Sequence, residues 1–144
     1  FHSEKISAFE NLTILDLVNL FSSLYDFVKV LPMPRYDDTE VKNLVKFKRF
    51  NPKVKKSTLI NYFKKTTKYS EKEILIFLNL LVQKGKKHNL FLYSIYEKEN
   101  YYFFSHPTIK MANMLYLVDK WLEVGKCDLA ERGFKFEDYI KDFL

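Results

Sequence analysis

Ten basic side chains fall between positions 42 and 70 of this chain, with no acidic side chain among them. They are Lys42, Lys46, Lys48, Arg49, Lys53, Lys55, Lys56, Lys64, Lys65 and Lys68. The whole chain carries a net charge of +6, so the residues outside this window are net negative. Charge segregated in this way makes a local positive field, whose usual partner is a polyanion. The chemistry available to these residues is the neutralisation of phosphate groups, and nucleic acid is the first partner that the sequence predicts.

Apolar residues interrupt the basic window, which predicts a folded basic face and argues against a charged tail. They are Leu44, Val45, Phe47, Phe50, Leu59, Ile60 and Phe63. A plainer interpretation stays open, because surface lysines are commonly solvated without a specific partner. A coding sequence rich in A and T would also explain why 21 lysines accompany only three arginines. Salt separates the two interpretations, since six lysine–phosphate contacts would lose roughly a thousandfold in affinity between ~50 and ~200 mM salt.

The remaining residues of catalytic type form no recognisable site. His2, His88 and His106 are scattered along the sequence, whereas a metal site needs three or four convergent ligands. Cys127 is the single cysteine, so it makes no internal disulfide, and no general base lies near it in sequence. The chain also lacks a glycine-rich phosphate loop and a Gly-x-Ser-x-Gly elbow. We therefore predict no enzyme, no cofactor and no metal within these residues.

Composition predicts a helix-rich globular protein. Hydrophobic residues make up 47% of the 144 positions, with 14 Phe and 10 Tyr, which is sufficient for a sizeable core. Three Gly and four Pro are too few for a sandwich of many tight turns. Asp16 and Asp26 interrupt the longest apolar run, so no membrane span is predicted. The single cysteine fits a reducing compartment, and a cytoplasmic, intracellular location is the expectation.

The elements that must hold these residues begin with a long apolar helix over residues 14–31. Thr13 and Asp16 form a capping pair at its start, and Pro32 and Pro34 end it. One stripe at helical spacing consists of Ile14, Leu17, Val18, Phe21, Leu24, Tyr25, Val28 and Leu31. A second apolar flank consists of Leu15, Leu20, Phe27 and Val30. With so little polar surface, this helix must pack on more than one side, against the domain or against a partner subunit such as a second copy.

Residues 39–63 are predicted to hold two short helices. The first spans 39–49, although its last residues alternate enough to form a strand instead, and Asn51-Pro52 breaks it. The second is capped by Ser57, and its inward side chains are Leu59, Ile60 and Phe63.

A capping box at residues 70–73 locates the next helix. In the run Ser-Glu-Lys-Glu, the serine hydroxyl and the carboxylate of Glu73 can satisfy reciprocal backbone donors. The helix is expected to span residues 71–84, with Gly85 placed to stop it. Its inward side chains are Ile74, Phe77, Leu78 and Leu81.

A β-hairpin and two further helices complete the predicted fold, which is mostly α within the α+β class. Residues 89–96 and 101–105 are rich in aromatic and aliphatic side chains, and a four-residue polar loop separates them. Most of these aromatic side chains are expected in the core, because a hairpin must cover one face. A helix from Pro107 to Gly125 would bury Ile109, Ala112, Leu115, Tyr116, Val118 and Leu122. A last helix is marked by Phe136, Tyr139, Ile140 and Phe143.

Over residues 57–105, with a support helix at 39–49, the order short helix, turn, second helix and β-hairpin resembles a winged helix-turn-helix domain. The resemblance implies that the helix over 71–84 enters the major groove of DNA and that the hairpin touches the backbone or the minor groove. Outward on that helix, at spacings of seven and four, would lie Lys72, Asn79 and Gln83. The two amides would read adenine edges. Phosphate would be neutralised by lysines beside the groove and at the helix exit, namely Lys64, Lys65, Lys68, Lys84, Lys86 and Lys87.

Acidic side chains depart from the pattern of that family. Glu71 and Glu73 lie at the start of the entering helix, and Glu97 and Glu99 lie at the hairpin tip. Carboxylates in these places can accept from cytosine, but beside phosphate they repel. Winged helices also serve as protein-interaction modules. A module for protein–protein contact or oligomerisation, without nucleic-acid binding, is therefore the alternative function.

A second resemblance lies near the C-terminus. Residues 131–139 are similar to the opening helix of restriction-endonuclease-like nuclease domains, in which a glycine, a Phe-Glu pair and apolar helical spacing recur. Here those residues are Gly133, Phe136 and Glu137. The resemblance implies a nuclease domain beyond Leu144, because Glu137 alone cannot catalyse a reaction.

The sequence therefore predicts three segments within a piece of a longer protein. Residues 1–34 form a helical element for packing or oligomerisation, residues 39–125 a winged-helix-like domain, and residues 128–144 the start of a further helix or domain. The predicted function is nucleic-acid binding, to double-stranded DNA in particular, through a lysine-rich helix-turn-helix face.

Overall fold

In a computed structural model, the chain is described at residues 9, 12–31, 53–83 and 89–125. The elements in chain order are α1 (Ile14–Lys29), β1 (Lys53–Lys55), α2 (Lys56–Thr66), α3 (Glu71–Leu81), β2 (Ile95–Lys98), β3 (Tyr101–Phe104), α4 (His106–Lys110) and α5 (Met114–Val124). Helices combined with a small antiparallel sheet confirm the α+β class. The helices predicted over 39–49 and after residue 128 lie outside the described residues. Among the helices in the described ranges, none is both long enough and apolar enough to cross a membrane.

Helix α1 begins where the capping pair predicts. The Thr13 N–H donates to the Asp16 carboxylate at 2.8 Å, and the Asp16 N–H donates to the Thr13 hydroxyl at 3.1 Å. The helix contacts α3, α4 and α5, which confirms that it packs on more than one side. Of its second apolar flank, Leu20 is fully buried, whereas Leu15 and Val30 are exposed. These two lie roughly 22 Å apart along the helix axis, so they form no continuous apolar stripe.

Helix α2 begins without the predicted serine cap. Its N-cap residue is Lys55, which makes no side-chain capping bond, so the assignment of Ser57 as the cap was wrong. The backbone N–H of Lys56 instead donates to the carbonyl oxygen of Asn100 at 2.8 Å. Since the first N–H groups of a helix have no partner within it, the hairpin turn satisfies one of them directly.

Helix α3 has the predicted start and a different end. The Ser70 hydroxyl accepts from the Glu73 N–H at 3.2 Å, and the Glu73 carboxylate accepts from the Ser70 N–H at 3.0 Å. The helix ends at Leu81, three residues before the predicted position. Val82 is extended and forms a bridge with Ile95, and the Gln83 N–H donates to the Ile95 carbonyl at 2.8 Å. Pairing with β2 therefore replaces the last helical turn.

The predicted β-hairpin is confirmed, with different limits. The sheet has the order β1-β3-β2, and both pairings are antiparallel. Glu97 and Lys98 continue the first strand, so the predicted four-residue loop shortens to Glu99 and Asn100. Glu99 has a φ of 55°, in the left-handed region that short hairpin turns use. The first strand starts at Ile95, whereas residues 90–92, predicted to belong to it, form a turn.

Strand β1 is an element that the sequence pattern did not reveal. Its residues are exposed, buried and exposed in turn, and Val54 is paired with Tyr102. Three residues carry too little periodic signal to predict a strand. On the face that Val54 shares, Tyr102 and Phe104 are buried. The other hairpin aromatics, Tyr93, Tyr96, Tyr101 and Phe103, are half-buried, so the prediction that most of these rings lie in the core was wrong.

The helix predicted from residue 107 to 125 is two helices, α4 and α5. Asn113 ends the continuity, because its side chain accepts from the Tyr116 N–H at 3.2 Å and caps α5. Asparagine competes with the backbone in this way and favours a cap over a helix interior. The predicted buried residue Leu115 is exposed as a result, while Leu117 and Trp121 lie in the core.

Aromatic rings connect four helices in the core. The ring of Trp121 in α5 lies 6.4 Å from Phe21 in α1 and 6.5 Å from Phe77 in α3. Phe77 lies 6.1 Å from Phe63 in α2. Buried side chains from Phe9 onward belong to one cluster, so α1 shares its core with the helices and the sheet that follow it.

Candidate nucleic-acid interface

Helix α2 and its flanks carry the described part of the basic window. These residues are Lys53, Lys55, Lys56, Lys64, Lys65 and Lys68. Lys56 is half-buried and the other five are exposed. Because Leu59 and Phe63 face the core, much of the remaining surface of α2 is left for charged side chains. Lys42, Lys46, Lys48 and Arg49, as well as the predicted exit residues Lys84, Lys86 and Lys87, lie outside the described residues.

Three of these lysines meet in one groove between α2 and the hairpin turn, which we call the cationic groove. It has a volume of about 630 Å³ and is lined by Lys55, Lys56, Ser57, Ile60, Asn61, Lys64, Glu71, Asn100 and Tyr101. Its lining contains three lysines and one glutamate, so the lining residues carry a net positive charge. The two amides and the hydroxyl can donate to phosphate oxygens. Asn61 and Asn100 were not predicted as site residues, because only the pairing of β1 with β3 brings them together.

A second groove lies between α3 and the hairpin, and we call it the α3 groove. Its volume is about 580 Å³, and its lining is Glu71, Lys72, Leu75, Ile76, Asn79, Glu97 and Tyr102. Lys72 and Asn79 share this groove, in agreement with their predicted positions on one outward face. Leu75 lies between them and is 42% exposed, an outward apolar residue that was not predicted.

Two ion pairs connect α2 with the elements around the grooves. The Nζ atom of Lys64 lies 2.8 Å from a carboxylate oxygen of Glu71, at the start of α3. The Nζ atom of Lys56 lies 3.2 Å from a carboxylate oxygen of Glu97, in β2. Acidic residues that depart from the winged-helix pattern are thus paired with lysines of the cationic groove.

Tyrosine rings position two lysines at the sheet. The ammonium of Lys53 lies 5.2 Å from the ring centroid of Tyr101, and that of Lys56 lies 5.5 Å from Tyr102. Such cation–π contacts hold a flexible side chain near one place. A lysine that is already held loses less conformational entropy when a ligand binds.

Lys65 and Lys68 line neither of the two grooves. The ammonium of Lys68 lies 5.8 Å from the ring centroid of Tyr69, in the turn between α2 and α3. Its charge also acts on the carboxylate of Asp16 at the start of α1. Lys68 therefore lies near the start of α1, whereas Lys64 lines the cationic groove.

Gln83 is not an outward residue of α3, which corrects the predicted face of Lys72, Asn79 and Gln83. It follows the end of the helix, and its side-chain amide donates to the carbonyl oxygen of Tyr93 at 3.3 Å. The group predicted to read an adenine edge is thus bonded within the protein.

Tyr69 fixes the turn between α2 and α3 to α1. Its hydroxyl donates to the Asp16 carboxylate at 2.7 Å. Burial, followed by this bond, raises the pKa of Tyr69 to about 12. Burial alone would raise the pKa of Asp16, but the bonds from the Thr13 backbone and the Tyr69 hydroxyl lower it below its ordinary value. The turn between α2 and α3 is therefore held to the start of α1.

No group of three or more histidine, cysteine or acidic side chains within the described ranges could hold a metal ion. His106 is buried in α4, and burial, followed by the charge of Lys110, lowers its pKa. Comparison of the chain with protein-family models, curated proteins and solved structures finds no match to any of them.

Proposed function

We propose that this chain binds double-stranded nucleic acid through the surface formed by α2, α3 and the hairpin. The observation that carries the proposal is the cationic groove, in which Lys55, Lys56 and Lys64 converge with Asn61 and Asn100. Lysines supply the charge that neutralises phosphate, while amide donors fix the position of the nucleic-acid backbone relative to the protein.

The arrangement of the elements supports a winged-helix mode of binding. Helix α2, a turn and helix α3 are followed by the hairpin, and α3 exposes Lys72, Leu75 and Asn79. Helix α3 enters the major groove, where Asn79 reads a base edge and Lys72 contacts phosphate. The major groove of B-form DNA admits a helix, whereas that of A-form RNA is too narrow, so DNA is the favoured partner.

The double substitution Lys55→Gln with Lys64→Gln tests the proposal. Both residues line the cationic groove, so their loss should remove about two phosphate contacts and lower the steepness of the salt dependence by about 1.8. Binding to a duplex of about 20 base pairs is measured by fluorescence anisotropy at several salt concentrations, because each lost contact changes that slope.

The matched control is Lys110→Gln with Lys120→Gln, which removes the same charge from residues that line neither groove. It should keep the salt slope of the original protein. Equal weakening in the two double variants would contradict a specific interface and would indicate only a net-charge effect.

A protein-interaction module is the second candidate function, and the apolar half of the α3 groove favours it. Leu75, Ile76 and Tyr102 line that half, and a second copy of the chain is the occupant to test. Light scattering at two protein concentrations, with and without duplex DNA, distinguishes the functions. A mass that doubles with concentration, and falls again in a Leu75→Lys variant, would support self-association.

A further inference from the structure

Glu71 and Glu97 are paired with lysines of the cationic groove, whereas Glu73 caps a helix. Glu71 lines both grooves, and Glu97 lines the α3 groove, so both lie beside the positive surface. Glu73, by contrast, has a structural use, since its carboxylate completes the capping box of α3 with Ser70. Glu71 has no part in that box and is bonded instead to Lys64.

We propose that Glu71 and Glu97 occupy the positions on Lys64 and Lys56 that phosphate oxygens of a nucleic acid would take. The inference rests on the proposed function and concerns the regulation of the same site. The Glu71 oxygen, 2.8 Å from the Lys64 ammonium, has the distance of a charge-assisted contact with a phosphate oxygen. The Glu97 oxygen lies 3.2 Å from the Lys56 ammonium and forms a longer ion pair. The chain's own acids therefore compete with the ligand for two of its three groove lysines.

Both ion pairs are exposed to solvent, so a ligand can displace the carboxylates from the lysines. The side chains of Lys64 and Glu71 are 46% and 52% exposed, and those of Lys56 and Glu97 are 29% and 43% exposed. Exposed ion pairs are weak and are screened by salt. A polyanion that contacts several lysines at once can displace both carboxylates, whereas a single small anion gains too little to do so. Glu71 and Glu97 thus favour the binding of anionic polymers over the binding of small anions.

The test compares the double variant Glu71→Gln with Glu97→Gln against the original protein. Glutamine keeps the size of the side chain and removes the competing charge. Duplex binding measured by anisotropy at ~50 and ~200 mM salt should become about tenfold tighter, because two exposed pairs no longer need to be broken and two acids no longer repel phosphate.

The matched control is Asp26→Asn with Glu123→Gln. It breaks two exposed ion pairs of similar length, to Lys29 at 3.0 Å and to Lys120 at 3.3 Å. It makes the same change in net charge at residues that line neither groove. Thermal unfolding of both double variants checks that they fold.

The outcomes separate this inference from the proposed function. If the original protein binds DNA but the groove variant gains no more affinity than the control, the competition is refuted and the proposed function stands. If neither the original protein nor the groove variant binds at ~50 mM salt, where phosphate contacts are strongest, both are refuted. Binding by the groove variant alone would support the competition and would show that the two acids prevent binding.

Discussion

Asn79 is the outward amide that α3 retains, because Gln83 is bonded to the Tyr93 carbonyl. Asn79 is exposed and shares the α3 groove with Lys72, two turns earlier on the helix. A single amide can read one base pair by paired hydrogen bonds, while lysines discriminate little between sequences. If the chain binds DNA as proposed, we expect its sequence preference to be limited to about one base pair and to depend on Asn79.

We expect Asn79→Ala to weaken binding to a preferred duplex by about 1–3 kcal/mol and to leave binding to unrelated duplexes nearly unchanged. The preferred duplex is obtained by selection from a random pool, and both affinities are measured at one salt concentration. Asn61→Ala is the comparison, since Asn61 lies in the cationic groove and should affect all duplexes alike. If Asn79→Ala weakened binding to both duplexes equally, Asn79 would contact the DNA backbone instead of a base edge.

At the scale of elements, the starts of α1 and α3 were predictable, whereas the starts of α2 and α5 and the end of α3 were not. The caps of α1 and α3 use partners three residues apart, so the pattern at Thr13 and Ser70 contains the whole interaction. The end of α3 depends on the bridge between Val82 and Ile95. These residues are distant in sequence, so the residues around Val82 alone do not predict the bridge. Strand β1 depends on β3 in the same way.

Two serine variants test this account of capping. Ser70→Ala should lower the free energy of unfolding by about 1 kcal/mol, because it removes the cap of α3. Ser57→Ala, at the position wrongly predicted as the cap of α2, should change it by less than about 0.5 kcal/mol. Urea unfolding measures both. Equal losses in the two variants would show that the Ser70 bond adds nothing beyond the general cost of replacing a serine.

At the scale of the whole molecule, helical periodicity predicted which residues share a face of one helix. It did not predict which residues of different elements lie close together. Lys72 and Asn79 were placed on one face correctly, since both belong to α3. Lys55 and Asn100 meet in the cationic groove because β1 pairs with β3, and no spacing in the sequence indicates that. The sequence could therefore identify the basic window without identifying which lysines converge.

The stability of the whole molecule should depend on pH through His106. Burial, followed by the charge of Lys110, lowers the pKa of this imidazole below the ordinary value of 6.5. The unfolded chain then binds the proton more readily than the folded chain. The contribution to stability is complete above about pH 6.5 and is lost as pH falls toward the folded pKa. The pKa of Asp16 is lowered below its ordinary value of 3.8, so its contribution to stability is present above that pH and is lost only in more acid solution.

Urea unfolding at pH ~7 and ~5 measures this dependence, and a His106→Gln variant should show a smaller difference between the two values. The expected direction is lower stability at the acidic pH. An unchanged difference in the variant would assign the pH dependence to other groups.

The bond from the Lys56 N–H to the Asn100 carbonyl has a mechanical consequence. It ties the first turn of α2 to the tip of the hairpin, so a backbone hydrogen bond joins the two walls of the cationic groove. A ligand that pushes the hairpin away must also break this hydrogen bond and leave the Lys56 N–H without its partner. In the binding that we propose, we therefore expect the nucleic acid, instead of the protein, to adjust its shape to the width of this groove.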